Sequence, residues 1–85
     1  MRVFIPDVLL SYTGAGEVEA AGTSIAELFA DLDHRYPGLR FRVIDEQDWF
    51  RRHMRVFVNG IQTFDLGLAL KPGDEIAIIQ ALSGG

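Results

Sequence analysis

One segment of this chain reads clearly as a helix, and four of the segments outside it read as strands. Ile25, Leu28, Phe29 and Leu32 fall at i, i+3, i+4 and i+7 and make one apolar stripe, with Asp31 and Asp33 on the other side. Ser24 with Glu27 three residues on fits a capping box, and Thr23 is an alternative cap. Tyr36-Pro37-Gly38 ends the helix, because proline cannot continue it. A single stripe of this width must be buried, and the strand-like segments around it supply the surface.

The first of these runs from Arg2 to Leu10, where Val3 and Ile5 alternate with Arg2 and Phe4. Pro6 marks a bulge or an edge there. Ser11 to Gly16 has loop composition, and Glu17 to Ala21 reads as a second strand in hairpin pairing with the first. After the helix, Leu39 to Asp45 suits a short second helix, and Asp45 to Arg52 reads as a charged loop. Met54 to Gly60 is a strand ending in the turn pair Asn59-Gly60. Ile61 to Leu70 is ambiguous. Lys71-Pro72-Gly73-Asp74 is a turn, since proline presets φ and glycine accepts positive φ. Glu75 to Gln80 is the last strand. The expected class is α+β: a mixed sheet on one main helix plus a short second helix, in a β-grasp arrangement.

Length and charge narrow the function. With 85 residues the chain is shorter than the roughly 100–200 expected per domain, so one domain is expected. It divides into a β-grasp domain over residues 1–80 and a tail over 81–85. With no cysteine, disulfides, thiolate metal sites and a cysteine nucleophile are excluded. A net charge of −4 disfavours nucleic acid as a partner, because phosphate binding wants a basic surface. No apolar run approaches the ~20 residues of a membrane span. The opening Met1 to Asp7 places a proline and an acid where a signal peptide would continue its apolar stretch. A cytoplasmic protein without membrane association is therefore expected.

The residues that carry most information are Phe57-Val58-Asn59-Gly60, Leu70-Lys71-Pro72-Gly73-Asp74-Glu75-Ile76, and Ile78-Ile79-Gln80-Ala81-Leu82-Ser83-Gly84-Gly85. Singly, Asn-Gly and Pro-Gly-Asp-Glu serve any hairpin, and a Gly-Gly end is commonly a frayed terminus. In this order and spacing they resemble the ubiquitin-like sulfur carriers of the MoaD/ThiS family, over most of the chain. Gln80, Ala81, Leu82 and Ser83 stand where many molybdopterin-synthase small subunits carry prolines and then alanine. The thiamine carriers are typically shorter and lack the Pro37 to Trp49 region.

The resemblance implies a mechanism. The Gly85 carboxylate is adenylated by an ATP-dependent adenylyltransferase of the ubiquitin-activating type, and sulfur then displaces AMP to give a thiocarboxylate. Leu82, Ser83, Gly84 and Gly85 would thread the activating enzyme's channel, where side-chain-free glycines are slim. The chain itself would carry no catalytic residue and bind no cofactor; ATP and its metal belong to the partner, and a sulfur-accepting synthase consumes the product. Two alternatives stay open: a ubiquitin-like modifier joined to lysines through Gly85, and a non-covalent β-grasp binding module.

Strand phase adds a docking patch. If Val3, Ile5, Val56, Val58, Ile76 and Ile78 face the helix, then Phe4, Phe57 and Ile79 lie on the open side of the sheet, with Arg2 and Arg55 at the edge. An apolar patch rimmed by arginines suits protein docking. Alternatively the Asp45 to Arg52 loop, whose Trp49 and Phe50 also need cover, lies over part of it. Other candidates are weaker. His34 and His53 have no ligand spacing. Asp45, Glu46 and Asp48 read as a solvated loop, and neither Ser11 nor Ser83 has a histidine placed as a base.

Overall fold

A computed structural model describes residues 1–81. Nine elements follow one another: β1 (Arg2–Phe4), a 3-10 turn (Asp7–Leu9) running into α1 (Leu10–Thr13), β2 (Glu17–Glu19), α2 (Ile25–Arg35), α3 (Leu39–Val43), β3 (Met54–Val58), β4 (Ile61–Thr63) and β5 (Glu75–Gln80). The strands form one sheet in the order β2-β1-β5-β3-β4. β5 lies parallel to β1, and the other pairings are antiparallel. β5, the last strand among the described residues, is thus the central one, held on both sides.

The expected helix forms over its expected span. Ile25, Leu28, Phe29 and Leu32 are fully buried, in one core with Val3, Ile5, Val56, Ile76 and Ile78. This is the phase that alternation implied. The cap is shared between the two candidates. Ser24 Oγ accepts the Glu27 N–H at 3.2 Å, and the Glu27 carboxylate accepts the Thr23 N–H and hydroxyl at 2.8 and 2.7 Å. Those Thr23 bonds, the hydroxyl first, hold the Glu27 carboxyl below the usual carboxylate range. The connection into α2 passes close to the helix backbone. A Cβ on Gly22 would sit 2.6 Å from Leu28 N and 2.9 Å from Glu27 C, so only glycine fits there without a shift.

One segment differs from the sequence reading, and one that the sequence left ambiguous is settled. Asp7 to Thr13 is helical, where strand and loop were expected. The chain leaves β1 at Pro6, buries Leu9 completely, and closes α1 at Gly14, whose φ of 71° is left-handed. Burying Leu9 outweighs the strand propensity of the local sequence. Ile61–Thr63, ambiguous in the sequence, pairs with β3 as an edge strand; Thr63 is buried against the core while Ile61, on the same face, and Phe64 are exposed. The short helix α3 forms as expected and buries Leu39 and Val43. The loop after it finds cover for Phe50, edge-on to Phe29 at 6.4 Å between ring centroids, but leaves Trp49 69% exposed.

Candidate functional site

The Asn-Gly and Pro-Gly-Asp-Glu motifs meet at one end of the sheet. Asn59 and Gly60 have φ of 50° and 84°, the left-handed pair that a tight β3–β4 turn needs. Asn59 Oδ1 accepts the Glu75 N–H at 2.9 Å, and its Nδ2 donates to Asp74 Oδ1 at 3.0 Å. The other Asp74 oxygen accepts the Lys71 N–H at 2.8 Å. The Lys71 bond and then the Asn59 bond hold the Asp74 carboxyl below its ordinary value. The spacing of the two motifs follows from this contact: one turn caps the start of the strand that the other delivers.

From that start β5 crosses the sheet. At its far end Gln80 lies opposite Met54, and the Ala81 N–H donates to the His53 carbonyl at 2.7 Å. The hydrogen-bonded ladder therefore holds the chain as far as Ala81. Leu82, Ser83, Gly84 and Gly85, the expected channel and modification residues, lie outside the described residues.

The five patch residues share the face of the sheet turned away from α2. Phe4 and Phe57 both lie opposite Ala77, from β1 and from β3, so the two half-buried rings flank it. Arg55 lies opposite Ile79, which is 45% exposed. Gln62 of β4 continues the row beyond Phe57. Neither arginine is a bare rim charge. The Arg2 guanidinium sits 5.6 Å from the Phe4 ring centroid and pairs with Glu75 and, at 3.7 Å, with Glu17. The Glu75 hydrogen bond, then the Glu75 and Glu17 charges, raise the Arg2 pKa above its already high ordinary value. Arg55 donates to the Arg52 carbonyl at 2.7 Å. Ala77 and Gln62 complete the patch without having been singled out from the sequence. Strand register reveals Ala77, since it alternates with Ile76 and Ile78.

Five strands in this order, crossed by one main helix, with the C-terminal strand at the centre, define a ubiquitin-like β-grasp protein. Within that class the chain belongs to the ThiS family, whose family model matches residues 4–85. The sulfur carrier protein CysO of Mycobacterium tuberculosis is 32% identical over 91 residues, covering 100% of this chain and 98% of the relative. Among solved structures, a chain of the Amycolatopsis orientalis BexX/CysO complex superposes with a TM-score of 0.89 at 32% identity. It covers 99% of this chain and 98% of that one. SAMP1 from Haloferax volcanii superposes with a TM-score of 0.78 at 27% identity, covering 100% and 98%. This homology supports a sulfur carrier role.

Proposed function

We propose that this protein is a sulfur carrier that works through Gly85 as a co-substrate of partner enzymes. A carboxylate oxygen of Gly85 attacks the α-phosphorus of ATP on a ubiquitin-activating-type adenylyltransferase, and pyrophosphate leaves. Sulfide then attacks the acyl carbon, and AMP leaves with the bonding electrons of the acyl–oxygen bond. The thiocarboxylate formed is a better nucleophile at neutral pH than the carboxylate it replaces. It donates sulfur to an accepting synthase in the biosynthesis of cysteine, a cofactor or another sulfur-containing metabolite. The chain's own residues position the tail: Asn59 and Asp74 fix the start of β5, the core fixes its middle, and His53 fixes Ala81. The Phe4, Phe57, Ile79 face is the surface on which the partners dock.

The observation that carries this reading is the family match running through Gly85, together with CysO relatives covering the whole chain. The test is intact mass after incubation with ATP, sulfide and an activating enzyme from the same organism. The expected gain is that of one sulfur replacing one oxygen, localised to Gly85 and abolished by its deletion. No gain, with an enzyme active on another carrier, would refute the reading. The likeness to SAMP1 of Haloferax volcanii, a small archaeal modifier protein, 25% identical with a TM-score of 0.78 in a second structure, favours a second reading. In that reading the activated Gly85 is joined to lysines of other proteins, and Gly85-dependent adducts of higher mass in cells would reveal it.

A further inference from the structure

The cations of this acidic chain are not spread evenly. Residues 40–55 hold five arginines against three carboxylates, and the rest of the chain holds three cations against nine carboxylates. One of those three carboxylates, Asp48, is spent on Arg40 at 3.0 Å. Another, Asp45, accepts the N–H groups of Gln47 and Trp49 at 2.9 and 3.0 Å. Arg42, exposed on α3, has no ion pair among the described residues. Arg51 lies 4.5 Å from the Phe41 ring centroid and uses its Nε on the Phe41 carbonyl at 2.6 Å. Its terminal nitrogens have no partner among the described residues.

These side chains border an open groove of about 490 Å³, lined by Val8, Phe41, Arg42, Arg51, His53 and Met54. The groove combines an apolar floor with cations at its rim, and Phe41 is 54% exposed in it. Gln80 also lines it, and the His53 carbonyl holds Ala81, so β5 ends beside it. From Ala81 the four residues to Gly85 reach at most about 14 Å. An enzyme acting on the Gly85 carboxylate must therefore bring its own surface close to this groove. The groove lies at the end of the sheet, bounded by α3, and is distinct from the Phe4, Phe57, Ile79 face.

We propose that the groove docks an acidic segment of the activating enzyme. Carboxylates on that segment pair with Arg42 and Arg51, and an apolar side chain rests on Phe41. The proposal rests on the carrier reading above. It assigns a second contact, electrostatic in character, to a partner that also receives the tail. Charged pairs at such a rim set encounter and selectivity more than static affinity, and salt weakens them.

The test is ATP–pyrophosphate exchange by the activating enzyme of the same organism, with the carrier varied at low and high salt. Arg42→Glu is compared with Lys71→Glu, which changes net charge equally on the turn before β5, at the opposite end of that strand. The expected result for Arg42→Glu is a KM for the carrier raised roughly tenfold or more at low salt, with kcat unchanged and the salt dependence flattened. Lys71→Glu should leave KM within about twofold. Arg42→Gln, with a smaller rise, guards against a folding defect, and circular dichroism checks each variant. An unchanged KM for Arg42→Glu, or an equal rise for both glutamate variants, overturns the groove assignment while the carrier reading stands. A defect confined to later sulfur transfer overturns it too. A wild-type carrier that supports no exchange, with an enzyme active on another carrier, overturns the carrier reading and this proposal with it.

Discussion

Replacing glycine by alanine should act in opposite directions at two positions of this protein. At a site whose backbone suits alanine, the substitution stabilises by about 0.4–1 kcal/mol, because it restricts the unfolded chain. Gly16 is such a site: its φ lies outside the left-handed region and no atom lies within 4 Å of an added Cβ. At Gly22 the added carbon would meet Leu28 N at 2.6 Å and Glu27 C at 2.9 Å. Both are backbone atoms of α2, so no rotamer change relieves the overlap, and the helix or the connection must shift by several tenths of an ångström. The helix cannot move freely, since Ile25, Leu28, Phe29 and Leu32 are all fully buried. Overpacking of this kind costs about 1–3 kcal/mol, which outweighs the gain from the unfolded state. For a domain of this size each kcal/mol moves Tm by about 4–8 °C. Gly16→Ala should therefore raise Tm by a few degrees, and Gly22→Ala should lower it, by up to about 20 °C. Urea denaturation with unchanged m-value would confirm that stability itself has changed. A Gly22→Ala protein as stable as the wild type would refute the reasoning, because it would mean that α2 can slide on the sheet at no cost.

Acid should expose the carboxylates that hold the connections. Asp31 accepts the Ala21 N–H and then the Arg35 Nε, which place its pKa below the ordinary value, as Thr23 does for Glu27. A depressed folded pKa means stability present in full above the unfolded value near 4 and lost as pH falls through the lowered one. Melting curves should therefore show Asp31→Asn less stable than wild type at neutral pH, with the gap closing below about pH 4; a gap independent of pH would refute this. Ile79→Asp, on the open face, should change stability by about 1 kcal/mol or less while impairing sulfur loading; normal loading would remove Ile79 from the docking surface. Asn59→Ala should lower Tm more than Asn59→Gly, because alanine loses the side-chain bonds and also strains the left-handed φ; equal losses would mean that the backbone conformation carries no cost.

The sheet, its phase and the main helix are legible in the sequence because period-2 and period-3.6 patterns report burial directly. Val3, Val56, Ile76 and Ile78 point inward as their alternation requires. Asp7 to Thr13 is not legible in that way. Its helix depends on Leu9 reaching the core, a tertiary contact that local propensity does not encode. β4 stays ambiguous in the sequence for a related reason: an edge strand of three residues can bury a threonine and expose an isoleucine without violating any hydrogen-bonding need. The open-face residues follow from alternation. The groove of Phe41, Arg42, Arg51 and His53 does not, since it exists only once α3 is folded against the start of β3. The dense run of arginines between residues 40 and 55 was its trace in the sequence.

The central position of β5 has a mechanical consequence. β1, near the amino terminus, and β5, which leads to the carboxyl terminus, lie side by side and parallel. A force drawn between the two ends of the molecule therefore slides these strands past one another, and their shared ladder is loaded all at once. β3, paired with β5 on its other side, resists the same displacement. A partner that pulls on the carboxyl end meets a set of bonds that must rupture together rather than one at a time.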